Sequence, residues 1–433
     1  MKHSTTLAHR SAQVIGVVAA AALALTGCSV TGVSSTQGEA GSGTGTINAL
    51  FMKQAAYSDT DIATMIADFE KANPKITVKP TFVSYEALHD KIVTAAPSGT
   101  YDVVLMDVIW PAEFATKGIV ADITDRIPAS WKTDMLGGAL GTAVYNDKYF
   151  GAPWFPSTKL FFYNTELLQK VGATPADVET WDGVLAVAKK LKATGVQYPI
   201  SWSWSQSEAL ICDYTQLLGA FGGQYTDADG QLTINKGPGV EALQWMVDSI
   251  KDGLSNPAST TFLEDDVLKS LAQGQSAFGL NWESTFRDLN DPSISSVVDK
   301  VAVGQTPAGT SGDRPGVNGS MALGIGANSK HQDAAWKFIE YLTNQQTQDK
   351  YVKSSLPVWK ASFENQAIVA TNPDVFAAAG PSYDSMILRP PVPNYNAVSQ
   401  IIQVELQNAL LNKKSPQEAL DDAVAAGNKV LKG

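Results

Sequence analysis

A carboxylate and a tryptophan, two side chains that commonly bind ligands, stand at the predicted end of a strand. Asp107 directly follows the apolar run 103–106, which is typical of a buried parallel strand, and Trp110 comes shortly after it. In open α/β sheets, ligands bind beyond the carboxyl ends of the strands. There, a carboxylate accepts hydrogen bonds while an aromatic face stacks on an apolar ligand surface. The alternative is that Asp107 caps the helix predicted from Pro111.

Trp282 and Arg389 bring the same chemistry further along the chain. Trp282 directly follows a predicted strand, beside Asn281 and Glu283, and Arg389 lies in the proline-rich segment 388–393. Sugar rings present an apolar C–H face rimmed by hydroxyl groups, which suits pockets that combine flat aromatic rings with charged hydrogen-bonding groups. The alternatives are core packing for the tryptophan and a structural salt bridge for the arginine. Other tryptophans beside turns or strand ends are Trp154, Trp202, Trp204 and Trp359.

The sequence is poor in the groups that most enzymes use. Beyond the first 28 residues the histidines are His89 and His331, and both stand among polar residues typical of a solvated helix surface. The chain therefore offers few histidines for a Ser-His-Asp triad or for a metal site. Segment 274–279 resembles a nucleophile elbow but lacks its second glycine, and segment 227–238 lacks the glycine and glutamate of a calcium loop. We expect no catalysis, no metal and no cofactor.

The N-terminus predicts export. A basic start precedes the apolar run 14–25, which is too short to span a bilayer as a mature helix, as in a secretory signal peptide. Residues 25–28, Leu-Thr-Gly-Cys, resemble the lipobox of bacterial lipoproteins, in which the cysteine is acylated. We predict a lipoprotein signal peptide and lipobox over 1–28, lipidation of Cys28 and a flexible linker over 29–45. An ordinary signal peptide with a chance cysteine is the alternative. The expected location is outside the cytoplasm, anchored to the cell membrane.

Composition narrows the class further. With 433 residues, of which 44% are hydrophobic, we expect a globular protein of two domains. The net charge of −11 becomes −13 without residues 1–28, which hold two basic and no acidic residues. A nucleic-acid partner would need a cationic surface, so we expect none. Besides Cys28, the one cysteine is Cys212, in an apolar stretch that predicts a buried, unreactive thiol.

Strands and helices alternate in the pattern of an open α/β layer. The first part of the chain reads as strands 47–52, 76–83 and 101–106, separated by helices from Ser58 and over 85–96. Later segments predict helices 181–194, 208–218 and 240–251, and strands 198–202, 276–281, 301–305 and 321–325. The C-terminal third reads as mostly helical.

Five parts of the chain form a recognisable set: residues 105–115 (LMDVIWPAEFA), 149–153 (YFGAP) with 160–164 (LFFYN), 273–282 (QGQSAFGLNW), 318–325 (NGSMALGI) and 389–395 (RPPVPNY). In this order the set resembles the bacterial extracellular solute-binding proteins of sugar ABC importers, a group that includes maltose- and trehalose-binding proteins. The resemblance covers essentially the whole chain after the linker. Its Asp-Val-x-Trp-x-x-Glu-Phe form is most similar to members that bind trehalose, maltose and related α-glucosides.

The resemblance implies an α/β fold of the periplasmic-binding-protein type, with two lobes and a ligand cleft between them. Lobe 1 would comprise 46–155 plus 281–344, and lobe 2 would comprise 156–280 plus 345–433. The implied partners are a carbohydrate ligand, favoured as an α-glucoside such as trehalose or maltose, and the transmembrane subunits of an ABC permease with its cytoplasmic ATPase. The protein would be a monomer that contacts the membrane through its lipid anchor alone.

The resemblance also implies a ligand site. On matching positions, Asp107 and Glu208 would accept hydrogen bonds from hydroxyl groups, Trp282 would stack, Gly319 would offer its backbone and Arg389 would donate. The remaining ligand-binding candidates are Trp110, Trp154 and Gln206.

Two departures from related sequences bear on ligand size and linkage. Asn318 precedes Gly319 where relatives often carry Gly-Gly, and Ala209 follows Glu208 where they often carry glycine. The alternatives are a ligand that is another polyol or a glycerophosphodiester, or a surface-anchored glycoside hydrolase, which would also use tryptophan and carboxylates.

Overall fold

The structure, a computed structural model, describes residues 43–53, 56–383 and 386–432. The predicted signal peptide, Cys28 and nearly all of the linker lie outside the described residues. Among the helices of the described ranges, none is both long and apolar enough to cross a membrane.

The strands are β1 Gly45–Met52, β2 Ile76–Val83, β3 Val103–Asp107, β4 Val144–Tyr145, β5 Lys148–Tyr149, β6 Ala152–Phe155, β7 Lys159–Asn164, β8 Phe278–Trp282, β9 Val301–Gly304 and β10 Met321–Ile325. The helices of the first half are α1 Asp59–Ala72, α2 Tyr85–Ala95, α3 Pro111–Thr116, α4 Trp131–Asp134, α5 Gly137–Leu140, α6 Thr165–Lys170, α7 Trp181–Ala193 and α8 Glu208–Ala220. Those of the second half are α9 Gly237–Lys251, α10 Glu264–Ala272, α11 Thr285–Leu289, α12 Gln332–Thr343, α13 Gln345–Lys350, α14 Lys360–Glu364, α15 Gln366–Val369, α16 Pro373–Tyr383, α17 Tyr395–Leu410 and α18 Pro416–Lys432.

Helix α1 shows how the local sequence sets an element. Ser58 and Asp61 form the predicted capping box, since the Ser58 hydroxyl accepts from the Asp61 amide and the Asp61 carboxylate accepts from the Ser58 amide. The apolar residues of the helix recur at helical spacing, and they are its buried face: Ile62, Met65, Ile66 and Phe69. The prediction of this helix from the sequence is confirmed.

The first sheet has the strand order β2-β1-β3-β10-β6. Strand β1 runs parallel to β2 and β3, as the alternating pattern predicts, whereas β10 is antiparallel to both β3 and β6. The register places Met321 opposite both Asp107 and Phe155. The ends of β3 and β6 and the start of β10 therefore meet at one edge of this sheet.

The second sheet has the order β8-β7-β9 and is antiparallel throughout. Because side chains alternate along β7, Phe161 packs on one face with α7, α8, α9, α17 and α18, and Phe162 packs on the other with α10 and α16. The predicted strand 198–202 is instead an extended segment in which only Ile200 forms bridges. Pro199 lacks an amide donor, and the Trp202 amide donates to a side chain, Oγ of Ser259, so no ladder forms.

Two connections link the sheets at the edge where Asp107 lies. Residues 156–158 lead from β6 to β7, and residues 305–320 lead from β9 to β10. Strands β8 and β9 both pair with β7 and so belong to the second sheet, whereas the sequence prediction placed residues from 281 onward in lobe 1. Strands β4 and β5 form a separate two-stranded antiparallel sheet. The α/β architecture, in which the two larger sheets are joined by these connections, agrees with the predicted fold class, and the lobe boundaries remain a proposal.

Candidate ligand cleft

Asp107 is the last residue of β3, and its side chain points into a polar cluster. It is 3% exposed, and its Oδ2 accepts a hydrogen bond from the Tyr85 hydroxyl at 2.7 Å. Its Oδ1 accepts from Nη2 of Arg389 at 2.9 Å. Helix α3 has Trp110 as its N-cap and no side-chain cap bond, so Asp107 does not cap that helix. The carboxylate instead accepts hydrogen bonds from Tyr85 and Arg389.

Arg389 links three parts of the chain. Its Nη1 donates to Glu208 Oε2 at 2.9 Å, and its Nη2 donates to Asp107 and, at 3.2 Å, to the carbonyl of Asn318. The residue is 2% exposed, and its Nε–H has no hydrogen-bond partner among the described residues. Burial opposes the charge, but neighbours led by Asp107 outweigh it and raise the pKa of the guanidinium above its ordinary value. Arg389 thus forms the salt bridges that the alternative interpretation predicts, and its buried Nε–H remains available to donate to a ligand.

Glu208 opens helix α8, where the helix dipole favours a negative charge. Besides Arg389, its carboxylate accepts from the Tyr395 hydroxyl at 2.9 Å, from the Ser399 hydroxyl and from Nε2 of Gln403 at 3.3 Å. These three donors were not predicted as site residues. The signal that could have found them is their spacing of four residues, which places them on one face of α17.

Together, Asp107, Glu208 and Arg389, with Tyr85 and Tyr395, form what we call the Arg389 cluster. It joins β3 of the first sheet to α8 and α17, which pack on the second sheet. One positive charge faces two negative charges, so the cluster as a whole is anionic.

Trp282 ends β8 and is partly buried, and its ring packs on Gly319, the residue after Asn318, whose carbonyl accepts from Arg389. Its Nε1 donates to Glu264 Oε1 at 3.3 Å, and Nζ of Lys159 lies 5.4 Å from the ring centroid. The ring packs so closely on Gly319 that an added Cβ there would lie 2.3 Å from a ring carbon. The Gly319 amide itself donates to the carbonyl of Ser157 at 2.9 Å. A glycine is therefore needed beneath the ring, and its amide is already engaged within the protein.

The other three candidates lie in different surroundings. Trp110 is buried and stacks on Tyr85, with ring centroids 5.8 Å apart, so it backs the Arg389 cluster. Trp154 is fully buried in the apolar core around the first sheet, with ring contacts to Phe51 and Tyr57, as its core-packing alternative expects. Gln206 is exposed in the turn before α8. The structure thus assembles the cluster with Trp110, Trp282 and Gly319, and it does not bring Trp154 into it.

His89 departs from the solvated helix position that its neighbours in sequence indicate. Its Nε2 lies 3.0 Å from Glu113 Oε2 and 2.8 Å from Nδ2 of Asn396, and its ring stacks on Phe114. Burial opposes the imidazolium, but the carboxylates of Glu113 and Asp90 outweigh it and raise the pKa of His89. Asn396 belongs to α17 and His89 to α2, so this pair forms a polar contact between α17 and a helix that packs on the first sheet.

Cys212 lies in α8 as a buried free cysteine, as the sequence predicts. Burial is the main reason that the pKa of its thiol is raised to about 12, so the reactive thiolate is scarce.

Comparison with known proteins decides the family. Residues 40–349 match the model of the family described as bacterial extracellular solute-binding protein. The chain belongs to this family. The family resemblance of the sequence is thereby confirmed.

The chain also matches individual solute-binding proteins over most of its length and of theirs. The chain is similar to a maltose-bound MalE3 of T. maritima, with 28% identity, a TM-score of 0.83 and coverage of 89% of this chain and 100% of that one. A solute-binding protein of an ABC transporter from Thermotoga lettingae, bound with α-D-tagatose, has 25% identity, a TM-score of 0.81 and coverage of 89% and 99%. A curated binding protein of Brucella abortus is 25% identical over 370 residues, which is 84% of this chain and 88% of that protein.

Proposed function

We propose that this protein is the sugar-binding component of an ABC importer, held at the outer side of the cell membrane by a lipid on Cys28. It captures a di- or oligosaccharide between two lobes built around the two sheets, without catalysis, and delivers it to the permease. The observation that carries the proposal is the Arg389 cluster, because it gathers buried hydrogen-bonding groups from both sheets at the edge where their connections run. The similar MalE3 structure holds maltose.

The charge of the cluster favours a neutral ligand over a phosphate-bearing one, such as a glycerophosphodiester or sn-glycerol 3-phosphate. Arg389 already faces the carboxylates of Asp107 and Glu208, so a phosphate would bring a further negative charge to an anionic site. Sugar hydroxyl groups can instead donate to the carboxylates and accept from the unused Nε–H of Arg389. An α-glucoside such as maltose or trehalose is the ligand we favour, with Trp282 stacking on its apolar face.

A thermal-shift panel of maltose, trehalose and sn-glycerol 3-phosphate tests this proposal. A ligand that binds only the folded protein stabilises it by about 2.7 kcal/mol when present at 100 times its dissociation constant. We expect a neutral sugar to raise Tm and the phosphate to leave it unchanged. An assay for glucose release from the same disaccharides separates binding from hydrolysis, and we expect no release.

Substituting Gly319→Ala should weaken sugar binding. The new Cβ cannot occupy its ideal position, so the Trp282 ring must move from where it would stack. Loss of aromatic stacking lowers affinity by about tenfold. Calorimetric titration with the sugar that shifts Tm most measures the effect. Gly237→Ala is the matched control, because an added Cβ there meets nothing within 4 Å, and its affinity should equal that of the wild type.

Substituting Cys28→Ala should remove the anchor. Without its thiol the protein cannot be acylated at this position, so we expect it in the medium or as an uncleaved precursor. Fractionation of cells labelled with a radioactive fatty acid measures both outcomes. A lipid-labelled, membrane-bound Cys28→Ala protein would show that the anchor lies elsewhere. Cys212→Ala serves as the control, and it should keep the wild-type distribution.

A further inference from the structure

Glu283 directly follows Trp282 and binds the first connection between the sheets. Its Oε1 accepts from the Thr158 amide at 2.6 Å and from the Tyr383 hydroxyl at 2.9 Å, and its Oε2 accepts from the Ser157 hydroxyl at 2.8 Å. Residues 157 and 158 belong to the connection from β6 to β7, whereas Tyr383 ends α16. One carboxylate therefore holds the strand β8, the first connection and α16 together.

The first connection in turn holds the second. The Ser157 amide donates to the Ser320 hydroxyl at 3.1 Å, and the Ser157 carbonyl accepts from the Gly319 amide at 2.9 Å. Gly319 carries the Trp282 ring, and the carbonyl of the neighbouring Asn318 accepts from Arg389. The bonds of Glu283 thus lead, within two steps, to the residues that we propose bind the ligand.

We infer that Glu283 is a positioning residue, which fixes both connections between the sheets and so sets Trp282, Gly319 and Arg389 in their binding arrangement. This inference rests on the proposed function for its ligand, but the contacts that carry it are present in the free protein. Glu283 does not need to touch the ligand for this role.

The surroundings of the Glu283 carboxylate change its pKa, which gives a property that can be measured. Among the described residues, the donors to its carboxylate are neutral: they are Ser157, Thr158, Tyr383 and the backbone amide of Glu283 itself, and only the Tyr383 phenol is titratable. Lys159, although adjacent in the chain, directs its ammonium group to Asp213 and Glu264 instead. Burial without a facing cation raises the pKa of Glu283 from 4.5 to about 7, although the hydrogen bonds favour its ionised form.

The sign of the resulting pH dependence follows from linkage. The folded protein binds this proton more tightly than the unfolded chain does, so the stability contributed by the group is lost as pH rises from 4.5 through about 7. Opening of the connections would expose the carboxylate to water and remove the cost of burying its charge. We therefore expect both the connections and the folded protein as a whole to become less stable as pH rises through about 7.

Hydrogen–deuterium exchange of the ligand-free protein tests the inference, with Glu283→Ala and Glu283→Gln compared with the wild type. We expect Glu283→Ala to speed exchange at Thr158, which loses its acceptor, and also at Gly319, which does not touch Glu283. Glu283→Gln keeps an acceptor oxygen, so it should restore both amides toward the wild-type rates. Asp291→Ala is the matched control, because Asp291 accepts from the amide and hydroxyl of Ser293 on an exposed loop.

A second arm measures the pH dependence. The protection of Gly319 in the wild type, relative to Glu283→Gln at the same pH, should fall between pH 5.5 and 8, because the neutral amide has no charge to bury whereas the carboxylate ionises in this range. Unchanged exchange at Gly319 in Glu283→Ala, with only Thr158 affected, would overturn the inference. Failure of the wild type to bind maltose would count against the proposed ligand and leave the exchange result to decide on Glu283.

Discussion

We expect the variant Arg389→Met to lose ligand affinity by a hundredfold or more and to have a free energy of unfolding lower by about 3–5 kcal/mol. Among the described residues, the guanidinium is the one cation that faces both Asp107 and Glu208 at hydrogen-bond distance. Its removal leaves the buried Asp107 and the partly buried Glu208 without their charged partner. It also removes the unused Nε–H that we propose a sugar hydroxyl fills. Calorimetric titration with maltose and urea unfolding of the ligand-free variant measure the two losses separately.

Two further variants separate the effect of Arg389 on stability from its effect on ligand affinity. The triple variant Arg389→Met, Asp107→Asn, Glu208→Gln carries no unpaired charge, so stability should recover in large part while affinity stays low. Arg389→Lys keeps the charge, but a single ammonium cannot reproduce the forked contacts to two carboxylates and a carbonyl, so it should bind weakly. If Arg389→Met bound maltose as tightly as the wild type, Arg389 would have a structural role alone.

Lys159→Met has the largest expected effect on stability outside the cluster. The Lys159 side chain is fully buried, and its Nζ lies 2.8 Å from Asp213 and 3.2 Å from Glu264, so its loss strands Asp213, which is fully buried too. Burial opposes its charge, but the two carboxylates outweigh it and raise the pKa of the lysine. Breaking such a buried pair costs about 3–5 kcal/mol. Melting curves of the ligand-free variant measure the loss.

The control for this prediction is an exposed pair of the same kind. Lys148 and Asp122 are joined at 2.8 Å but are largely solvated, so Lys148→Met should leave Tm nearly unchanged. Lys159→Met should also weaken maltose binding, because Lys159 and Glu264 hold the Trp282 ring. A Tm in Lys159→Met equal to that of Lys148→Met would contradict the account of the buried pair.

The sequence predicted those features that short-range patterns determine. The capping box at Ser58, the buried face of α1 and the alternation that leads to Asp107 at the end of β3 are all local, and all are present. The polar residues of α17 were missed because their role depends on Glu208, nearly two hundred residues away in the chain. Their spacing signals a helix face but not what that face meets.

Other outcomes required long-range packing that no local pattern specifies. Lys159 stands in an apolar strand, and its partner Asp213 is 54 residues distant in the chain. Trp154 lies beside a predicted strand end, as Trp282 does, yet the Trp154 ring is buried in the apolar core around the first sheet and the Trp282 ring packs on Gly319. His89 is flanked by polar residues, but the fold brings Glu113 and Asn396 to it. The sequence thus identified candidate site residues, but only the tertiary contacts show which of them lie together and which are part of the core.

One titration tests the central claim most directly, which is that the Arg389 cluster binds a neutral sugar. Maltose, trehalose and sn-glycerol 3-phosphate are each titrated into the protein by calorimetry, at low and at high salt. We expect saturable one-site binding of a neutral disaccharide with an affinity that salt leaves nearly unchanged, because no net charge is brought to the site. Saturable binding of the phosphate that weakens with salt, with both disaccharides inert, would contradict the claim.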